Sequence, residues 1–121
     1  EALFKATQTS GCTKEALLAM VKALHDAART GKTQAVDSIL KAAQTSGCEK
    51  DLLFATSNNG ETALHKAAWK GYAQAVDSIL KAAQTSGCAK ELLFAADKDG
   101  ETALRIAAQR GNAQVVDSIL K

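Results

Sequence analysis

One stretch of the chain occurs twice without change. Gln34 to Cys48 reads QAVDSILKAAQTSGC, Gln74 to Cys88 repeats it letter for letter, and its opening returns as QVVDSILK from Gln114 to Lys121. The offset fixes a period of forty residues, and the glycines obey it: Gly31, Gly71 and Gly111 share one register, Gly60 and Gly100 another. A repeat of this length governs the fold, because each unit is one supersecondary element that buries its apolar face only against its neighbours. The chain then reads as one repeat domain over 1–121, with a partial unit at 1–20, whole units at 21–60 and 61–100, and a truncated unit at 101–121. The first unit is atypical. Its Gln8-Thr9-Ser10-Gly11-Cys12 matches Gln44 to Cys48 only after a four-residue deletion, which removes the turn that carries Asn58-Asn59-Gly60 in the next unit.

Composition excludes several function classes. Fifteen Lys and Arg against thirteen Asp and Glu leave a net charge of +2. No basic cluster stands out, so the electrostatic footprint of a nucleic-acid binder is missing. A hydrophobic content of 46% with both signs of charge is that of a folded chain. Charges interrupt it too often for an apolar run of about 18 residues, and Glu1 opens no export signal, so no membrane contact is expected.

Within a unit the signals are helical. Thr62 or Thr102 is placed to cap a helix running from about Ala63 to Lys70, and Gly71 or Gly111 to end it in the left-handed conformation. Leu64, Ala67 and Ala68 form its narrow apolar stripe. A second helix, about Gln74 to Thr85, puts Val76, Ile79, Leu80 and Ala83 on one face. Gly87 stops it, Lys90 to Phe94 add a short third helical turn, and Asp97-Lys98-Asp99-Gly100 is turn chemistry before the next first helix.

The string Asp97-Lys98-Asp99-Gly100-Glu101-Thr102-Ala103-Leu104, then Ala107-Ala108, Gly111, Val115-Val116 and Ile119-Leu120, resembles the ankyrin repeat; the middle unit keeps the histidine in Thr62-Ala63-Leu64-His65. The likeness runs from about Met20 onward. Ala63 and Ala103 stand where ankyrins usually have proline, Arg105 stands where they have histidine, and the unit is forty long rather than about thirty-three. The additional residues fall between Leu80 and Gly100. The resemblance implies an all-α, right-handed solenoid of stacked helix pairs with projecting turns, a protein-binding role and no enzymatic activity or cofactor. The tetratricopeptide period and its Trp-Leu-Gly-Tyr framework are absent.

Chemical motifs reduce to structure. Cys12, Cys48 and Cys88 lie one unit apart, with no paired metal spacing and a separation of about 10 Å where a disulfide needs about 7 Å or less. They read as small buried residues in a reducing, cytoplasmic compartment. His25 and His65 repeat, and the ankyrin resemblance makes them bridges between backbone groups of neighbouring turns. Asp77 and Ser78 near His65 are the residue types of a hydrolase triad, but they recur as Asp37-Ser38 and Asp117-Ser118 without an oxyanion pattern. Asp97-Lys98-Asp99-Gly100 opens like a calcium loop, yet Ala108 stands where a glutamate is required.

Differences between units mark the positions that stacking leaves free. Asp26, Lys66 and Ile106 correspond; so do Arg29, Trp69 and Gln109, then Thr30, Lys70 and Arg110, then Lys32, Tyr72 and Asn112, and in the turn Asn58 with Lys98 and Asn59 with Asp99. The resemblance places such positions on a concave face formed by first helices and turn tips, where partners dock. Asp26, Arg29, Lys66, Trp69, Lys70, Tyr72, Lys98, Ile106, Gln109 and Arg110 are therefore the candidate partner-binding residues. Trp69 and Tyr72, the chain's sole tryptophan and tyrosine, are its candidate anchors. Ile106 is expected to extend an apolar strip beside them, with Arg29, Lys66, Lys70 and Arg110 around it suited to an acidic or mixed-charge rim on the partner.

Near-identity of the second helices fits either recent duplication or an array written from a consensus, and the diversified first helices favour the latter. A second functional reading comes from the ends. Glu1-Ala2-Leu3-Phe4-Lys5 aligns with Asp37 to Lys41, and the chain closes part-way through a second helix at Ile119 and Leu120. Partly exposed apolar residues there would support head-to-tail self-association through uncapped ends.

Overall fold

The structure is a computed structural model that describes residues 14–120. Cys12, the segment from Glu1 to Lys5 and the Gln8 to Cys12 match lie outside the described residues. Among the described residues the chain forms eight helices: α1 (Lys14–Thr30), α2 (Thr33–Ser46), α3 (Glu49–Phe54), α4 (Ala63–Lys70), α5 (Ala73–Thr85), α6 (Ala89–Phe94), α7 (Ala103–Gln109) and α8 (Ala113–Leu120). None of them is long and apolar enough to cross a membrane.

Helices α1, α4 and α7 stack in one row, and α2, α5 and α8 in a second. Each first helix packs on the second helix of its own unit, α1 on α2, α4 on α5 and α7 on α8. The short helices α3 and α6 accommodate the residues by which the unit exceeds thirty-three, and α3 packs against α1, α2 and α5. This is an all-α repeat solenoid.

The rows hold because apolar positions match the helical period. In α5, Ala75, Val76, Ile79, Leu80 and Ala83 are buried, and in α2 Val36, Leu40 and Ala43 are. Full burial of a Leu or Ile contributes about 1.5 to 3 kcal/mol. Helix α4, flanked by α1 and α7, buries Ala63, Leu64, His65, Ala67 and Ala68. Its counterpart α7 has a neighbour on one side only, so Leu104 is half-buried and Ala108 exposed.

The ends of the helices follow the sequence signals. The Thr62 hydroxyl accepts the His65 N–H at 3.4 Å, and Thr102 does the same for Arg105 at 3.3 Å. At the other end of α4, Gly71 (φ 78°) reverses the chain: the Tyr72 N–H reaches the Ala67 carbonyl at 3.0 Å, and the Gly71 N–H that of Ala68 at 3.2 Å. A side chain at positive φ is strained, which is why the period carries glycine there.

The missing turn of the first unit has a visible result. In later units the short helix and the next first helix are separated by the turn at Asn58-Asn59-Gly60 or Lys98-Asp99-Gly100. In the first unit, which lacks those residues, both merge into the seventeen-residue α1.

Candidate functional site

The site begins with the turns. The Gly60 N–H donates to the Ser57 carbonyl at 2.9 Å and the Ser57 N–H to the Glu61 carbonyl at 2.9 Å, closing the turn on itself; Gly100, Asp97 and Glu101 repeat the pattern. Asp97 Oδ1 accepts the N–H groups of Asp99 and Glu101, both at 2.9 Å, so this carboxylate organises its own backbone. Successive turns are tied together by the Lys98 N–H donating to the Asn59 carbonyl at 3.0 Å. Gly60 permits this approach: a Cβ there would sit 3.0 Å from the Lys98 nitrogen.

His65 fastens the turns from below. Its side chain is 0% exposed. Nδ1 accepts the Thr62 N–H at 3.1 Å and lies 2.9 Å from the Thr62 hydroxyl, while Nε2 lies 2.9 Å from the Glu101 carbonyl of the next turn. A carbonyl only accepts, so Nε2 carries the proton and Nδ1 the lone pair. Both nitrogens are thereby engaged, and neither addresses Asp77 or Ser78, which line the outer groove between α2 and α5.

His25 does not repeat this bridge, contrary to the expectation from its register. Lys22 stands where Thr62 does, inside the unbroken α1, so no cap is available to its ring, and Nε2 is buried without a hydrogen-bond partner. Burial, first, and the positive charge of Lys66, second, push the His25 pKa below its ordinary value of 6.5; the Ala55 backbone, Asp26 and Glu61 oppose them. Cys48 and Cys88 are buried at the starts of α3 and α6. Burial raises the Cys88 thiol above its usual range, as befits an inert core thiol.

Above the turns lies a recess of about 430 Å³ lined by Arg29, Asn59, Glu61, Lys66, Trp69 and Lys70. Four of the sequence-derived candidates, Arg29, Lys66, Trp69 and Lys70, thus converge on one concavity between α1, α4 and the turn preceding α4. Trp69 is 46% exposed, and the guanidinium of Arg110 lies over its ring at 4.1 Å from the centroid. This cation–π contact brings a fifth candidate into the cluster. Asp26 is placed beside it by its ion pair with Arg29 at 2.7 Å. Lys66 reaches Glu61 at 3.4 Å in a partly buried pair. Asn59 and Glu61 are lining residues that the site reading did not include. Glu61 recurs as Glu101, so comparison of the units gives no sign of it, whereas Asn59 differs from Asp99.

The remaining candidates divide. Lys98 and Gln109 are exposed and border the same row. Tyr72 is 38% exposed, but its ring occupies the space over Gly31, where an added Cβ would come within 2.9 Å of it. Asn112 does the equivalent one unit on, donating from Nδ2 to the Ala68 carbonyl at 3.0 Å. Tyr72 therefore packs one unit against the previous one. Ile106 is a correction. It is 1% exposed, because its three- and four-residue spacing from Ala103 and Ala107 puts all three on the buried face of α7. It belongs to the core and extends no apolar strip. Ile119 is also buried, while Leu120 is exposed.

A stack of repeated helix pairs joined by linked turns, with a recess on the row of first helices, defines a helical repeat scaffold. A family model of ankyrin repeats, in three copies, matches residues 3–85, and the chain belongs to that family. The match takes in the first unit, which the resemblance from Met20 onward left out, and ends at Thr85; the same helix pair continues through α7 and α8. No curated protein matches the chain. Ankyrin repeats are in general protein–protein interaction modules and typically non-enzymatic.

Proposed function

We propose that this chain binds another protein through its first-helix and turn face, with Trp69 as the anchor. The single observation that carries the reading is the placement of Trp69: a large aromatic left 46% exposed, beside a recess of about 430 Å³, in an otherwise aromatic-poor chain. An exposed tryptophan supplies much contact area for few frozen torsions, which is the character of an interface anchor. The diversified residues cluster on this row, whereas the grooves between second helices repeat the same residues, Asp37 and Lys41 becoming Asp77 and Lys81. The outer grooves thus follow from stacking identical helices.

The test is recovery of a partner and measurement of its affinity for Trp69→Ala. Loss of about 2 kcal/mol or more of binding, with stability changed by less than about 1 kcal/mol, is the expected result. Unchanged affinity would refute the reading. A large fall in melting temperature would instead make Trp69 a structural residue.

A further inference from the structure

We propose that the recess beside Trp69 recognises an acidic peptide segment in which carboxylates flank an apolar side chain; this rests on the partner-binding reading of the same face and specifies the chemistry of the partner. The inference comes from charge that the protein leaves uncompensated. Three cations line the recess, Arg29, Lys66 and Lys70, and a fourth, Arg110, lies over the ring of Trp69, which lines it too. Two of them are spoken for, Arg29 by Asp26 at 2.7 Å and Lys66 by Glu61 at 3.4 Å. Lys70 and Arg110 have no carboxylate within ion-pairing distance among the described residues. Lys70 shares the recess lining with Trp69, and Arg110 lies over the Trp69 ring.

The arrangement of Arg110 makes it a receptor for a carboxylate. Its guanidinium carbon lies 4.1 Å from the Trp69 ring centroid, and no carboxylate among the described residues pairs with its five N–H donors. The cation–π contact holds the guanidinium at the tryptophan, so less rotamer freedom is lost when a carboxylate closes a bidentate pair with it. The exposed ring of Trp69 offers an apolar surface in contact with the Arg110 guanidinium and in the same recess lining as Lys70. A ligand that satisfies all three carries negative charge, then an apolar side chain, then negative charge.

The two internal pairs narrow the class further. Glu61 and Asp26 put negative charge on the rim, which opposes a polyphosphate backbone crossing the whole recess. A peptide is able to place its carboxylates against Lys70 and Arg110 alone. The net charge of only +2 likewise lacks the broad field that holds nucleic acid.

The experiment selects binders from a displayed library of random dodecapeptides on the whole chain, and then titrates individual labelled peptides. Trp69 is the sole tryptophan, so its emission reports occupancy of the recess directly. The expected result is enrichment of peptides with Asp or Glu on both sides of a Leu, Phe or Tyr. Their binding should shift Trp69 emission, weaken at least tenfold between low and high salt, and weaken at least tenfold in Lys70→Glu and in Arg110→Glu. Lys90→Glu, an exposed change on α6, should leave it unaltered. Circular dichroism checks that each variant is folded, and Arg110→Lys, which keeps the charge but loses the fork, should bind less well than the native chain.

Basic or uncharged peptides dominating the selection, no enrichment at all, or acidic binders indifferent to both charge reversals would overturn the inference. So would tighter binding of oligothymidylate than of the selected peptides. Failure of the underlying reading has a different signature: selected peptides of any charge would bind Trp69→Ala as well as the native chain. If Trp69 matters and the two cations do not, the face stands and its acidic preference falls.

Discussion

His65 is the residue at which local capping and the stacking of units meet, and its removal should reveal how much each contributes. In His65→Ala the Thr62 N–H, buried with the rest of that residue, loses its acceptor, and the Thr62 hydroxyl loses its 2.9 Å partner. A buried donor left unpaired costs about 1 to 3 kcal/mol. The Glu101 carbonyl suffers less, because it still accepts the Asp97 N–H at 2.9 Å. Losing the bond from Nε2 there removes about 1 kcal/mol. With the void left by a fully buried ring, the total is about 3 to 5 kcal/mol, a large fraction of the about 5 to 15 kcal/mol that holds an ordinary domain together. The asymmetry between the two nitrogens fixes a rank order. His65→Asn keeps an acceptor where Nδ1 stood, whereas His65→Gln keeps a donor near Nε2, so stability should fall in the order native, Asn, Gln, Ala. Urea unfolding followed by circular dichroism measures it. Gln retaining more stability than Asn, or Ala within about 0.5 kcal/mol of native, would refute the reasoning.

The turns provide a matched comparison. Gly60→Ala and Gly100→Ala both place a side chain at positive φ, but only at Gly60 does the new Cβ meet the next turn, 3.0 Å from the Lys98 nitrogen. Each should lose about 1 kcal/mol from strain, with Gly60→Ala losing measurably more in urea unfolding. His25 predicts a pH dependence. Its folded-state pKa is lowered, so below about pH 6.5 the unfolded chain binds a proton that the folded chain resists. Stability present above that pH is lost as the pH falls, and His25→Leu should reduce the slope of melting temperature against pH between about 7 and 5; an unchanged slope would refute the assignment. Exchange at the Lys66 and Ile106 register should be unequal. Ile106→Lys buries a charge and should cost about 3 kcal/mol or more, whereas Lys66→Ile should change stability by less than about 1.5 kcal/mol in thermal melts.

Much of the fold was legible because it was written several times. The helix starting at Ala63 and ending at Lys70 was fixed by Thr62 and Gly71, and the second helix differed from its expected start only by including Ala73. Comparison of units also found Arg29, Lys66, Trp69 and Lys70 before geometry brought them together. Variation between units is not the same as exposure. Ile106 differs from Asp26 and Lys66, yet its spacing from Ala103 and Ala107 was an apolar stripe, and helical periodicity should have outweighed the comparison. His25 shows the opposite: equal register does not give equal role, because Lys22 in place of Thr62 removes the cap on which the ring depends. The stacking of Arg110 on Trp69 joins residues forty-one apart in sequence. No local signal reports such a contact.

The proposed function requires the row of first helices, rather than the outer row, to be the surface that meets a partner. Amide chemical-shift mapping of the labelled chain, titrated with a recovered partner or selected peptide, tests this most directly. The predicted result is perturbation centred on Arg29, Asn59, Trp69, Lys70 and Arg110, along α1, α4, α7 and their turns. Perturbation centred on Asp37, Lys41, Asp77 and Lys81, along α2 and α5, would contradict it.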